Sequence, residues 1–152
     1  MEENEVTDFV DRFFTEHGYK ITREVYVHGY HVDLVAKKND QKCFVECKGN
    51  RYLRSHEIHV MVGQIVSKMH EVGSNIHYCL AMPYSLATYL KEFSFEGIKT
   101  LNLNLLVVGE SLIWKGEVFY IDTEGIASLI QALKKESEYA WTNLFALQRK
   151  DV

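Results

Sequence analysis

Asp33, Glu46 and Lys48 are the residues of this 152-residue chain whose types and spacing could do chemistry together. They fall in two strand-like segments, residues 30–37 and 42–48, punctuated by the turn-forming pair Asn39-Asp40. With the turn centred on that pair, Lys37 faces Lys42, Val35 faces Phe44, Asp33 faces Glu46 and His31 faces Lys48. Strand side chains alternate between faces. One face then carries Val32, Leu34, Ala36, Cys43, Val45 and Cys47, an apolar set expected to be core. The other carries His31, Asp33, Val35, Phe44, Glu46 and Lys48. Two carboxylates opposed across a hairpin have Cβ atoms about 5 Å apart and repel each other. A shared proton or a divalent cation relieves that repulsion. Mg²⁺ is typically held by one or two carboxylates and completes its shell with waters and substrate phosphates. Two acids and a lysine around a hard cation are the equipment of phosphodiester hydrolysis: the cation polarises the phosphoryl group, and the lysine stabilises developing negative charge.

The elements that must position these residues are legible from periodicity. Residues 4–17 read as an amphipathic helix with Val6, Phe9, Val10, Phe13 and Phe14 at helical spacing, ended by Gly18. Strands are expected at 21–27, 30–37 and 42–48. A second helix at 56–72 follows, capped by Ser55, with Ile58, Val62, Ile65 and Met69 as its apolar stripe. Residues 75–82 read as a fourth strand stopped by Pro83, 85–93 as helical and 99–108 as a strand. Segments 112–114 and 118–121 flank Gly116 as a hairpin, Thr123 caps a further helix, and a last helix holds Trp141, Leu144 and Phe145. The reading is an α/β fold in a single domain, a mixed central sheet flanked by helices, with a core over about 4–82 and a C-terminal α/β extension over about 83–152.

Bulk properties narrow the function classes. Apolar residues make up 47% and charged residues 25%, ordinary values for a globular chain. No apolar run is long enough to span a bilayer. The acidic start, Met1-Glu2-Glu3-Asn4-Glu5, is unlike a signal or transit peptide. Three cysteines without C-x-x-C spacing argue against a disulfide framework, so a cytoplasmic protein is expected. The net charge of −4 opposes polyanion binding in bulk, but the distribution is uneven. Between residues 37 and 54 stand Lys37, Lys38, Lys42, Lys48, Arg51 and Arg54 against only Asp40 and Glu46, a local patch that could hold phosphates. Arg51 and Arg54 could clamp them bidentately, and His31, opposite Lys48, is a further neighbour. The alternative on charge alone is a solvated hairpin.

Other constellations are weaker. His28, His31, His56 and His59 invite a zinc site, but structural zinc usually takes four ligands including thiolates, and Cys43 and Cys47 are expected in the core. Cys79 reads as strand packing. The glycines match neither a Walker nor a Rossmann spacing, and no serine has the context of a catalytic triad.

Asp33, twelve intervening residues and then Glu46-Cys47-Lys48 resembles the D-Xn-E-x-K motif of the PD-(D/E)xK, or restriction-endonuclease-like, nuclease superfamily. It is similar in flavour to Holliday-junction-resolvase-like and restriction-type members, although Val32 stands where the family often has proline. The resemblance implies an α-β-β-β-α-β core, matching the order above. It also implies an endonuclease that hydrolyses phosphodiester bonds in DNA with Mg²⁺, for which Mn²⁺ can substitute. Carried over, Asp33 and Glu46 would be metal ligands, the backbone carbonyl of Cys47 a further ligand, and Lys48 would position or activate the attacking water. Gln64, on the second helix, is similar to a glutamine that several branches direct at the site. Related members also use a first-helix glutamate; the counted position here is Thr7, so Glu3, Glu5 or Asp8 would substitute, with Glu5 ranked first. A homodimer would suit double-strand cutting. The rival expectation is a nuclease fold that binds nucleic acid or a protein without cutting.

Overall fold

The computed structural model describes residues 1–51 and 55–134. The expected last helix with Trp141, Leu144 and Phe145 lies outside the described residues, as does Arg54. Helix α1 spans Glu3–Glu16. The Glu5 carboxylate accepts the Glu2 N–H at 2.7 Å, satisfying a donor that a helix N-terminus leaves free. Gly18, with φ of +86°, ends it in the left-handed conformation, where Tyr19 N–H donates to the Phe14 carbonyl.

Strands β1 (Lys20–Val27), β2 (Tyr30–Lys38) and β3 (Gln41–Cys47) follow. The β1–β2 turn uses His28 and Gly29, both at positive φ, the geometry that matches the twist of a hairpin. The β2–β3 ladder has the expected register for Lys37 on Lys42, Val35 on Phe44 and Leu34 on Val45, but the expected pairs of Asp33 with Glu46 and His31 with Lys48 are not part of it. Helix α2 (Ser55–Val66) leads to β4 (Ile76–Pro83). After α3 (Tyr84–Ala87), a 3₁₀ turn (Thr88–Glu92) and α4 (Phe95–Leu101), β5 (Leu103–Val108) and β6 (Val118–Ile121) precede α5 (Thr123–Lys134). The opening order is therefore α-β-β-β-α-β, as expected. All six strands form one sheet in sequence order, parallel at β3–β4 and β4–β5 and antiparallel elsewhere.

The sheet is covered on both faces, and this corrects the expectation of one core face. Leu34, Ala36, Cys43, Val45 and Cys47 pack under α1 with Val6, Val10, Phe13 and Phe14. Val35 and Phe44, expected beside the acids on an open face, are buried against Ile58, Met61 and Ile65 of α2. Parallel pairing explains it, because crossover helices cover both faces of such a sheet. Val32 also departs from expectation, packing with Val35 and Phe44 instead of Leu34. The β1–β2 pairing omits Glu24 and Asp33. There Glu24 takes a left-handed φ of +52°, which interrupts the alternation.

Three further expectations shift. Helix α2 ends at Val66, six residues before the expected 72. Residues 99–101 close α4, and left-handed Asn102 separates them from β5; the Ser94 hydroxyl, which caps α4 by accepting Gly97 N–H, outweighs the strand-like composition. Residues 112–114 form no strand, Leu112 and Ile113 are exposed, and β6 pairs with β5 instead. Among the described residues no helix is long and apolar enough to cross a membrane.

Candidate active site

Beyond Leu34 and Val45 the β2–β3 ladder stops, and β3 continues alone beside β4, Glu46 on Leu80 and Cys47 on Ala81. The gap is filled by a side chain: Asp33 Oδ2 accepts the Cys47 N–H at 2.8 Å. Asp33 is thereby fixed beside the segment that carries Glu46, and both carboxylates are buried, at 9% and 6% exposure. Burial, more than any neighbour, pushes the Glu46 carboxyl above the ordinary glutamate range; the charges of Asp33 and Glu3 add to the rise and Lys68 opposes it. Glu46 Oε2 receives the Lys68 ammonium at 2.5 Å. Lys48 Nζ lies 3.3 Å from Glu57 Oε2 of α2.

The start of α1 reaches the same place. Glu3 is raised as well, first by burial and next by the charge of Asp33, with Lys48 opposing and Glu24 and Glu57 adding. Close docking brings it there: a Cβ on Gly49 would stand 2.6 Å from the Glu3 backbone nitrogen, so only glycine lets the chain after Lys48 meet the helix. A cleft of about 190 Å³ is lined by Glu2, Glu3, Lys48, Gly49, Arg51 and Glu57.

On the β1 side, His31 Nδ1 stands 3.9 Å from Asp33 Oδ1, and its Nε2 is hydrogen-bonded to Glu24. Glu24, His31 and Asp33 each offer a ligand atom within 4.8 Å of the others, a cluster able to hold a metal ion. Tyr26, 75% exposed, packs its ring edge-on to His31.

The structure thus brings Asp33, Glu46, Cys47, Lys48 and His31 to one end of β3, with Arg51 at the rim. Two expected residues have other surroundings. The Glu5 carboxylate is spent on the α1 cap, and Glu3 is the first-helix acid whose charge meets those of Asp33 and Lys48. Gln64 is exposed on α2. The pattern missed Glu3 as first choice, and missed Lys68, Glu57, Glu24 and Gly49 altogether. Glu57 had a legible signal, lying one residue before Ile58 of the α2 stripe; Lys68 had none, since it falls where the helix was expected to continue. The Cys47 thiol is buried under α1 and pushed strongly up by that burial, which leaves carboxylate oxygens and the His31 nitrogen as donors. The buried carboxylates of Asp33 and Glu46 fit a hard divalent cation, which favours such oxygens.

Residues 1–77 match the Mrr_cat family, described as restriction endonuclease. Among solved structures, the chain is similar to an fdxN element excision controlling factor protein from Anabaena variabilis, 21% identical over 70% of this chain and 91% of that one, with a TM-score of 0.54. It is also similar to an XisH family protein from Nostoc punctiforme, 20% identical over 69% and 91%, with a TM-score of 0.52. No curated protein matches the chain.

Proposed function

Because the chain belongs to the Mrr_cat restriction-endonuclease family, we propose that it is a Mg²⁺-dependent endonuclease acting on DNA, with Mn²⁺ able to substitute. The observation that carries this reading is the burial of Asp33 and Glu46 together, joined through the Cys47 N–H. Asp33, Glu46 and the Cys47 carbonyl would hold the ion, with Glu3 as the α1 carboxylate. The ion, when bound, polarises the phosphoryl group and makes a water more acidic. Asp33 is oriented before substrate arrives, since its second oxygen is fixed on the backbone. Lys48 donates to a phosphate oxygen and stabilises the charge that builds there, drawn from Glu57 by the more strongly charged partner. Arg51 and Arg54 grip flanking phosphates, and His31 stands beside Asp33. Two copies acting together would cut both strands.

A second reading has its own support. Both site lysines are already paired with carboxylates, and the Anabaena neighbour is named as a factor controlling excision. This makes the chain a nuclease fold that binds nucleic acid or a protein without cutting. Incubation of duplex, branched and single-stranded DNA with Mg²⁺ or Mn²⁺ separates the two. Cleavage is expected, abolished by chelator and by Asp33→Asn, and lowered roughly 100-fold or more by Lys48→Ala. DNA retention without cleavage or metal binding establishes the binding module.

A further inference from the structure

Lys68 and Glu46 form the most enclosed ion pair of the described residues, their side chains 10% and 7% exposed and the charged atoms 2.5 Å apart. A buried pair of this kind is costly to desolvate and contributes little net stability. Its position suggests a role. Burial and two like charges make Glu46 harder to ionise, and the ammonium beside it supplies a positive charge. Lys68 does so from outside the body of α2. The helix ends at Val66, and the chain winds off through tight turns, Lys68 N–H to the Ile65 carbonyl and Met69 N–H to the Val66 carbonyl. Beyond it the segment is pinned: His70 stacks on Tyr30 at the β1–β2 turn, and the Glu71 backbone exchanges two hydrogen bonds with the Tyr78 hydroxyl. Lys68 therefore lies between a helix end and an anchor, where its long side chain can swing without unfolding either.

We propose that Lys68 is a resident counter-cation that occupies the Glu46 carboxylate in place of a divalent ion, so that metal loading is an exchange in which Lys68 leaves Glu46 and turns its ammonium to solvent or to a substrate phosphate. The proposal rests on the metal-dependent reading of this site. It makes Lys68 a positioning residue: it keeps two buried acids together in the metal-free protein and weakens divalent-ion binding in return. The Glu24, His31 and Asp33 cluster is the competing destination, since an ion held there would leave Lys68 undisturbed.

The test pairs Mn²⁺ titration calorimetry on the full chain with amine acetylation read by mass spectrometry. Without metal, Lys68 is expected to resist acetylation; saturating Mn²⁺ should expose it, while Lys42, paired with Glu71 at 3.1 Å, is unchanged. Lys68→Gln should bind Mn²⁺ roughly tenfold more tightly, because a unit positive charge no longer competes. Mn²⁺ binding and DNA cleavage with Lys68 still protected, or no gain in affinity for Lys68→Gln, overturns the exchange and leaves the nuclease reading standing. Absence of Mn²⁺ binding overturns both. If Lys68→Gln does not fold, acetylation of the parent decides alone.

Discussion

Glu46 is surrounded by demands that conflict. It is enclosed, close to the charges of Asp33 and Glu3, and satisfied by one ammonium. Glu3 is raised in the same direction and for the same leading reason. For an acid whose folded pKa exceeds its unfolded value, the folded state holds the proton longer. Stability is then greatest below the unfolded pKa and falls as pH rises through the folded one. The metal-free protein is therefore expected to lose melting temperature as pH climbs from the ordinary glutamate range upward, and Mn²⁺ should restore it by binding the folded state. Asp33→Asn should flatten that loss, because it removes a charge felt by both glutamates while its amide oxygen still accepts the Cys47 N–H. Melting curves across pH, with and without Mn²⁺, check this; a profile that rises over the window would contradict the assigned cause.

Among the elements, the junction of α1 with the chain after Lys48 does the most to assemble the site. A Cβ at Gly49 would meet backbone atoms of Glu2 and Glu3 below 3.0 Å, and backbone gives way less readily than a side chain. Gly49→Ala should push the helix start aside, costing about 1–3 kcal/mol by overpacking and separating Glu3 from Lys48. Denaturant titration measures the first effect and loss of Mn²⁺ affinity the second; an unchanged protein would mean that α1 yields freely. That junction was invisible in the sequence, since a lone glycine after a strand carries no mark of what approaches it. The β2–β3 register was legible because Asn39-Asp40 fixes the turn and the apolar alternation fixes the phase. The covering of Val35 and Phe44 was not, because parallel pairing between β3 and β4 depends on a crossover that no local pattern encodes. The α4–β5 boundary was lost for a related reason: Lys99-Thr100-Leu101 is strand-like in composition but lies under the control of the Ser94 cap and left-handed Asn102. Asp33 and Glu46 were legible because strands β2 and β3 carry them, with Lys48 directly after β3, whereas Glu3 and Lys68 arrive from helix ends whose limits shift by a few residues.

For the whole molecule, the charge is divided. The basic stretch from residue 37 to 54 belongs to a chain whose net charge is −4, and within it Lys37, Lys38 and Lys42 stand at the turn end of β2 and β3, away from Lys48 and Arg51. Binding of duplex DNA should therefore rest on few phosphates. With about three neutralised, affinity falls roughly 40-fold between about 50 and 200 mM salt; a filter-binding or anisotropy series gives the slope, and a salt-independent affinity would refute the phosphate contacts. A different property follows from where the sulfur lies. Cys43, Cys47 and Cys79 are the chain's three cysteines, all at 2% exposure or less in the layer beneath α1. Alkylating dyes in solution find none of them while the fold holds. A single cysteine introduced at exposed Tyr26, beside His31, would thus be the chain's one ready thiol, and a fluorophore there would report the arrival of nucleic acid without removing any native sulfur.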